Sequence, residues 1–212
     1  MTTGEQIHEL GEMGAYWAKR WLDKTTRAQV TWVNPSSLPT QLTFPWKKKY
    51  KNKSPDFSFD LGGLLCGDGD EGESKKGQQF VAECKRYSSG RDQNSQFTEF
   101  LAKCYCARIE APRSTHVFLW ITWSAFGVTN WSKLHSSESI QKALIKYREQ
   151  ALGVSDEAMA QKVLDTSENQ KIIKDLSKNI WVIVLSDEQI KYLSLSEEDK
   201  ALIIGNRAKE SK

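Results

Sequence analysis

Glu83-Cys84-Lys85 closes an apolar stretch, Phe80-Val81-Ala82, with a carboxylate and an ammonium two positions apart. On a β-strand, residues two apart point off the same face. Burying both charges at the end of an apolar strand is costly unless they serve a purpose. Asp60 interrupts the preceding apolar run, 57–65, in the same way. If the two runs form a hairpin across the glycine-rich segment 67–77, pairing Gly67 with Gly77 sets Asp60 opposite Cys84, within one residue of Glu83. Two carboxylates and a lysine then converge on one spot of a sheet. Two carboxylates suit a divalent cation, Mg²⁺ or Mn²⁺, since Mg²⁺ prefers oxygen ligands and keeps several waters. Such an ion polarises a phosphodiester and lowers the pKa of a bound water. Lys85 can offset the charge that develops on the reacting phosphate or orient the attacking water. The expected catalytic residues are therefore Asp60, Glu83 and Lys85, and the expected metal ligands Asp60, Glu83 and the backbone carbonyl of Cys84. The plainer alternative is a cross-strand salt bridge, worth ~0.2–1 kcal/mol on a surface.

A second aspartate competes with Asp60. Asp56, in Pro55-Asp56, shares its face if the strand is continuous, but the two would lie about 13 Å apart at about 3.3 Å per residue. Asp56 meets Glu83 only if the turn centres near Gly69-Asp70, which forces the polar, glycine-rich 72–77 into a strand against its composition. Asp60 is the favoured residue.

The elements that must position these groups follow from periodicity. Residues 5–23 read as a helix with Ile7, Leu10, Gly14, Trp17 and Trp21 as a narrow stripe. A short strand is expected at 29–33, half-buried strand character at 57–61, and a strand at 79–87. Residues 92–110 read as a helix with Phe97, Phe100, Leu101, Cys104 and Ile109 inward. Residues 115–123 carry apolar residues on both faces, as a buried central strand does. Helices are expected at 136–151, 155–165 and 168–178, a last strand at 180–185, and a helix at 197–206 capped by Ser196 with Asp199. The segment 34–55 is irregular and holds four of the five prolines.

Asp60 followed by Glu83-x-Lys85, in the setting Phe-Asp-Leu-Gly-Gly … Phe-Val-Ala-Glu-Cys-Lys, resembles the PD-(D/E)xK, or restriction-endonuclease-like, nuclease superfamily. The likeness covers about residues 5–125. It implies an α/β fold with a mixed central sheet flanked by helices in the order αβββαβ. Residues 126–212 are then a C-terminal helical extension with one added strand, all within a single nuclease domain. The activity implied is metal-dependent endonucleolytic hydrolysis of DNA, with a restriction or defence role as one setting. Members often place a glutamate on the first helix as an extra metal ligand, and Glu12 resembles it, although Glu12 falls nearly opposite the apolar stripe and reads equally as a solvated surface residue. Restriction-like enzymes often dimerise, so a homodimer is also an expectation. Two other readings stay open: an RNA-directed nuclease, and a non-catalytic nucleic-acid- or protein-binding module on the same fold.

For nucleic acid, net charge argues little: 30 basic and 27 acidic residues leave +3, so a local patch is needed. Lys47, Lys48, Lys49, Lys51 and Lys53 form a run just before the catalytic strand. They are either phosphate contacts or a solvated loop. Arg86, Tyr87 and Arg91 follow the catalytic strand and either touch the substrate backbone or cap the next helix. Cys66, Cys84, Cys104 and Cys106 have no zinc-site spacing and read as buried thiols. The acidic stretch Asp68, Asp70, Glu71, Glu73 reads as a solvated turn. No secretory leader and no membrane-length apolar run is legible, so a cytoplasmic location is expected.

Overall fold

The computed structural model describes residues 4–25, 28–34, 42–48, 54–65, 77–86, 92–192 and 194–210. Along the chain run α1 (Gly4–Asp23), β1 (Ala28–Val33), β2 (Thr43–Pro45), β3 (Asp56–Ser58), β4 (Leu61–Leu65), β5 (Gln79–Lys85), α2 (Gln93–Glu110) and β6 (Val117–Thr122). A 3-10 segment (Val128–Lys133) follows, then α3 (Ser137–Lys146), α4 (Arg148–Leu152), α5 (Glu157–Leu164), α6 (Ser167–Asn179), β7 (Ile180–Val184), α7 (Asp187–Tyr192) and α8 (Glu197–Glu210). The fold is α/β. A five-stranded mixed sheet in the order β1-β4-β5-β6-β7 is flanked by helices, and β2 pairs with β3 in a separate ribbon. β1, β4 and β5 are antiparallel neighbours, whereas β5, β6 and β7 run parallel.

The alternation of β5 sorts the two faces. Phe80, Ala82 and Cys84 enter the core shared with Ala15, Ala18 and Leu22 of α1 and Ile190 of α7. Val81 enters the core built with α2, α3 and α6, so Glu83 and Lys85, at the same parity, project on the α2 side. Every residue of β6 is buried, as expected of a strand covered on both faces.

Several expectations shift in the structure. The run 57–65 is not one strand: it breaks around Asp60, with β3 peeling away to pair with β2 while β4 joins the sheet. Leu61 pairs with Ala82, so the hairpin register differs by one residue from the Gly67–Gly77 pairing and brings Asp60 level with Glu83 rather than Cys84. The stripe of α1 is rotated: Gly14, Ala15, Ala18 and Leu22 are buried, whereas Trp17 and Trp21 are half-buried. Small residues let α1 approach closely, since a Cβ at Gly14 would lie 3.2 Å from Arg86 Cβ. Ile7 and Leu10 belong to α1, but their side chains lie outside the described residues. Ile109 is 48% exposed, whereas Ala102, Tyr105, Cys106 and Ala107 are buried. The reason is that α2 lies between the sheet and α3 and α6 and is covered nearly all round. The added strand expected at 180–185 is β7, which lies beside β6, and α3 and α6 of the C-terminal extension close the core over α2. The helix cap at Ser196 forms as expected, with the Asp199 amide donating to Ser196 Oγ. Cys84, Cys104 and Cys106 are free and buried. Cys66 and the acidic stretch 68–73 lie outside the described residues. No helix among the described residues is long and apolar enough to cross a membrane.

Candidate active site

Asp60 occupies the bend between β3 and β4 and is fixed three times. Its amide donates to the Ala82 carbonyl at 2.9 Å, its carbonyl accepts from the Asn34 amide at 2.9 Å, and its Oδ2 accepts from the Cys84 amide at 2.7 Å. The last bond replaces the rung that a β4 residue would have supplied. The side chain is thereby locked against β5 at the point where the main-chain ladder ends. In a strand, one residue's N–H and C=O point to the same side. The Cys84 carbonyl therefore also points to the β4 side, past the last rung, next to the carboxylate its amide holds. The neighbouring Lys85 carbonyl points the other way and accepts from the Trp123 amide at 3.2 Å.

Glu83 is only 5% exposed. Its Oε1 lies 2.7 Å from Lys85 Nζ and 3.6 Å from Lys103 Nζ, while its Oε2 is buried with no hydrogen-bond partner among the described residues. Burial pushes the Glu83 carboxyl up, but Lys85 and Lys103 together outweigh burial and hold it below the ordinary carboxylate range. Asp60 goes the other way. Burial first, then the Glu83 charge, pushes its carboxyl up to about 7, against the pull of Lys85, the Cys84 amide and Lys103. Two neighbouring carboxylates with opposed shifts, one with a buried oxygen that has no hydrogen-bond partner among the described residues, make an oxygen donor set. The residues thus fit a divalent ion held by Asp60, Glu83 and the Cys84 carbonyl. Among the described residues no cluster of three or more His, Cys, Asp or Glu side chains is placed to hold a metal.

The structure thus brings Asp60, Glu83, Cys84 and Lys85 together. Asp56 does not join them: it is exposed, pairs with Pro45 in the β2–β3 ribbon, and lines a hollow of about 490 Å³ with Lys48 and Lys103. That hollow abuts the site through Lys103 and also has Trp46, Tyr147 and Ser58 in its wall. Lys47 and Lys48 are exposed, and both their amides donate to the Gln150 carbonyl, which anchors the start of the lysine run at the rim. Lys49, Lys51 and Lys53 lie outside the described residues, as do Tyr87 and Arg91. Arg86, one residue beyond Lys85, falls on the opposite face of the sheet, beside α1 and α7. There its Nη2 lies 3.2 Å from Asp187 Oδ1. Glu12 is exposed on α1, which packs over the Cys84 face rather than the Glu83 face.

Two groups escaped the sequence reading. Lys103 comes from α2, its side chain 15% exposed. The signal was a lone charge inside Phe100-Leu101-Ala102-Lys103-Cys104-Tyr105-Cys106-Ala107, an otherwise uncharged run. Gln93, fully buried at the start of α2, accepts from Thr122 Oγ1 at 3.0 Å, and Thr122 is the register partner of Lys85. Nothing in the local sequence marks Gln93 as buried.

Comparison of the chain with protein-family models, with curated proteins and with solved structures gives no match.

Proposed function

We propose that the chain is a metal-dependent endonuclease of restriction-endonuclease-like fold that hydrolyses phosphodiester bonds in DNA. The observation that carries this reading is the Cys84 amide bonded to Asp60 Oδ2 beside the buried Glu83 Oε2, which has no hydrogen-bond partner among the described residues. This costly arrangement makes sense if a cation sits between the carboxylates. Mg²⁺ or Mn²⁺ held by Asp60, Glu83 and the Cys84 carbonyl would polarise the scissile phosphodiester and make a water nucleophilic. Lys85, ion-paired to Glu83 and still partly open to solvent, is available to a phosphate oxygen and offsets the charge that builds there in the transition state. Lys103 keeps Glu83 ionised and closes the wall of the adjoining hollow. Lys48 lines that hollow and adds positive charge where a polyanion would approach.

One observation favours the rival reading of a non-catalytic nucleic-acid-binding module. Two ammoniums already face two carboxylates, so the cluster balances its own charge. Cleavage separates the two. Plasmid DNA incubated with the protein and Mg²⁺ or Mn²⁺ should be nicked or cut, and Asp60→Ala should abolish cutting while leaving the fold intact. If Asp56→Ala is dead and Asp60→Ala active, the wrong aspartate has been assigned. If no nucleic acid is cut by any form, the module reading stands.

A further inference from the structure

On the opposite face of the sheet, between α1, the end of β5 and α7, lies a second hollow of about 540 Å³. Of the described residues that line it, Arg20, Lys24, Arg86 and Lys191 are basic and Asp187 is the one acid. Three of these cations lie against rings, and for Lys191 the ring is that of Tyr192, its centre 4.8 Å from Nζ. The Arg20 guanidinium lies 5.2 Å from the centre of Trp17, and that of Arg86 lies 5.8 Å from Trp17 and 5.9 Å from Trp123. Arg86 is further fixed by Asp187, with Nη2 at 3.2 Å from both carboxylate oxygens. The Arg20 guanidinium and the N–H groups of Arg86 not given to Asp187 are thus held at the hollow, and a planar guanidinium matches phosphate oxygens. Four cations around one concavity against a single carboxylate repel one another in the free protein and concentrate positive potential where an anion can enter.

The position is as informative as the charge. Lys85 and Arg86 are consecutive, so they project from opposite faces at the same end of β5. A polyanion crossing that end meets Lys85 and the carboxylates on one side and Arg86 with its hollow on the other.

We propose that this hollow binds the phosphodiester backbone of nucleic acid, as a second contact reaching over the end of β5 from the candidate cleavage site. The choice of nucleic acid as the polyanion rests on the nuclease reading, but the contact itself is measured without cleavage.

The test is equilibrium binding of a fluorescein-labelled DNA duplex, without divalent ions, across a range of KCl concentrations. It compares the parent with the triple variant Arg20→Gln/Lys24→Gln/Lys191→Gln. The triple variant should keep the parent's thermal midpoint, bind more weakly, and lose about 0.9 from the log–log salt slope per phosphate contact, about 2.7 in all. An unchanged slope and affinity overturns the proposal, as does a parent that binds no duplex. A third overturning result is an unchanged duplex slope in a variant that has lost affinity for inorganic triphosphate, which makes the hollow a small-anion site. A chain that binds through the hollow but never cleaves sinks the catalytic reading alone, and one that cleaves with its slope untouched by the triple change sinks this one alone.

Discussion

The Cys84 amide donates to Asp60 Oδ2 at 2.7 Å, so a side chain takes the place of a backbone rung at the end of the β4–β5 ladder. That one bond places a carboxylate beside Glu83 and turns the Cys84 carbonyl toward the same point. It also holds the half-buried Asp60 next to another acid.

The Asp60 shift gives a pH signature. In the folded protein its pKa is about 7, against an ordinary 3.8. Between those values the folded state keeps a proton that the unfolded chain has released. The contribution of this group to stability is therefore intact below 3.8 and falls as pH rises toward about 7. At roughly 1.4 kcal/mol per unit the loss reaches several kcal/mol. Asp60→Asn should remove that decline, read as the difference between the stability curves of the two proteins. Mg²⁺ should raise the thermal midpoint of the parent near pH 8 and leave that of Asp60→Asn unmoved. Equal Mg²⁺ shifts in the two proteins would place the ion elsewhere.

Glu83 behaves in the opposite sense. Its lowered pKa contributes stability that is present above its ordinary 4.5 and is lost as pH falls through the folded value. Glu83→Gln leaves Lys85 and Lys103 facing a neutral amide and should cost on the order of 3 kcal/mol in urea unfolding at neutral pH. Lys103→Met removes one of the two cations that hold Glu83 down, so the acid limb of the stability curve should move to higher pH. An acid limb that stays in place would show that Lys103 serves Glu99, its other partner at 3.8 Å, rather than Glu83.

Changing Lys47, Lys48, Lys49, Lys51 and Lys53 to Gln should weaken binding to duplex DNA. Each lysine that had met a phosphate should take about 0.9 from the log–log salt slope. A slope equal to that of the parent would mark the run as a solvated loop.

How far the sequence reached depended on how local each signal was. Glu83 and Lys85 could be placed on one face because strand alternation is a local rule, and the buried character of 117–122 followed from apolar residues at both parities. Asp60 was found, but its neighbour was off by one because the register is set where β4 packs, not at the turn. Gly63 fits there because a Cβ would come within 2.4 Å of the Phe80 ring, and Gly62 because one would come within 2.8 Å of Trp32 and Leu42. Such cross-strand fits are invisible along the chain. The break at Asp60, the β2–β3 ribbon and the burial of Ala102 and Cys106 all depend on partners distant in sequence. Lys103 joined the site for the same reason: only when α2 packs across β5 does its ammonium approach Glu83.

Catalysis by the Asp60–Glu83–Lys85 centre is tested most directly by Lys85→Ala, with DNA affinity, single-turnover cleavage in Mg²⁺ and thermal midpoint measured on variant and parent together. A group that acts on charge developed in the transition state changes turnover and not ground-state binding. The variant should therefore bind DNA about as tightly as the parent, melt near the same temperature, and cleave on the order of 100- to 1,000-fold more slowly. Lys85→Arg should recover only part of the loss, because a planar guanidinium does not replace a compact ammonium. If Lys85→Ala cleaves as fast per folded molecule as the parent, or if the parent binds DNA but cleaves neither DNA nor RNA with Mg²⁺ or Mn²⁺, these residues form an ion-pair network and not a catalytic centre.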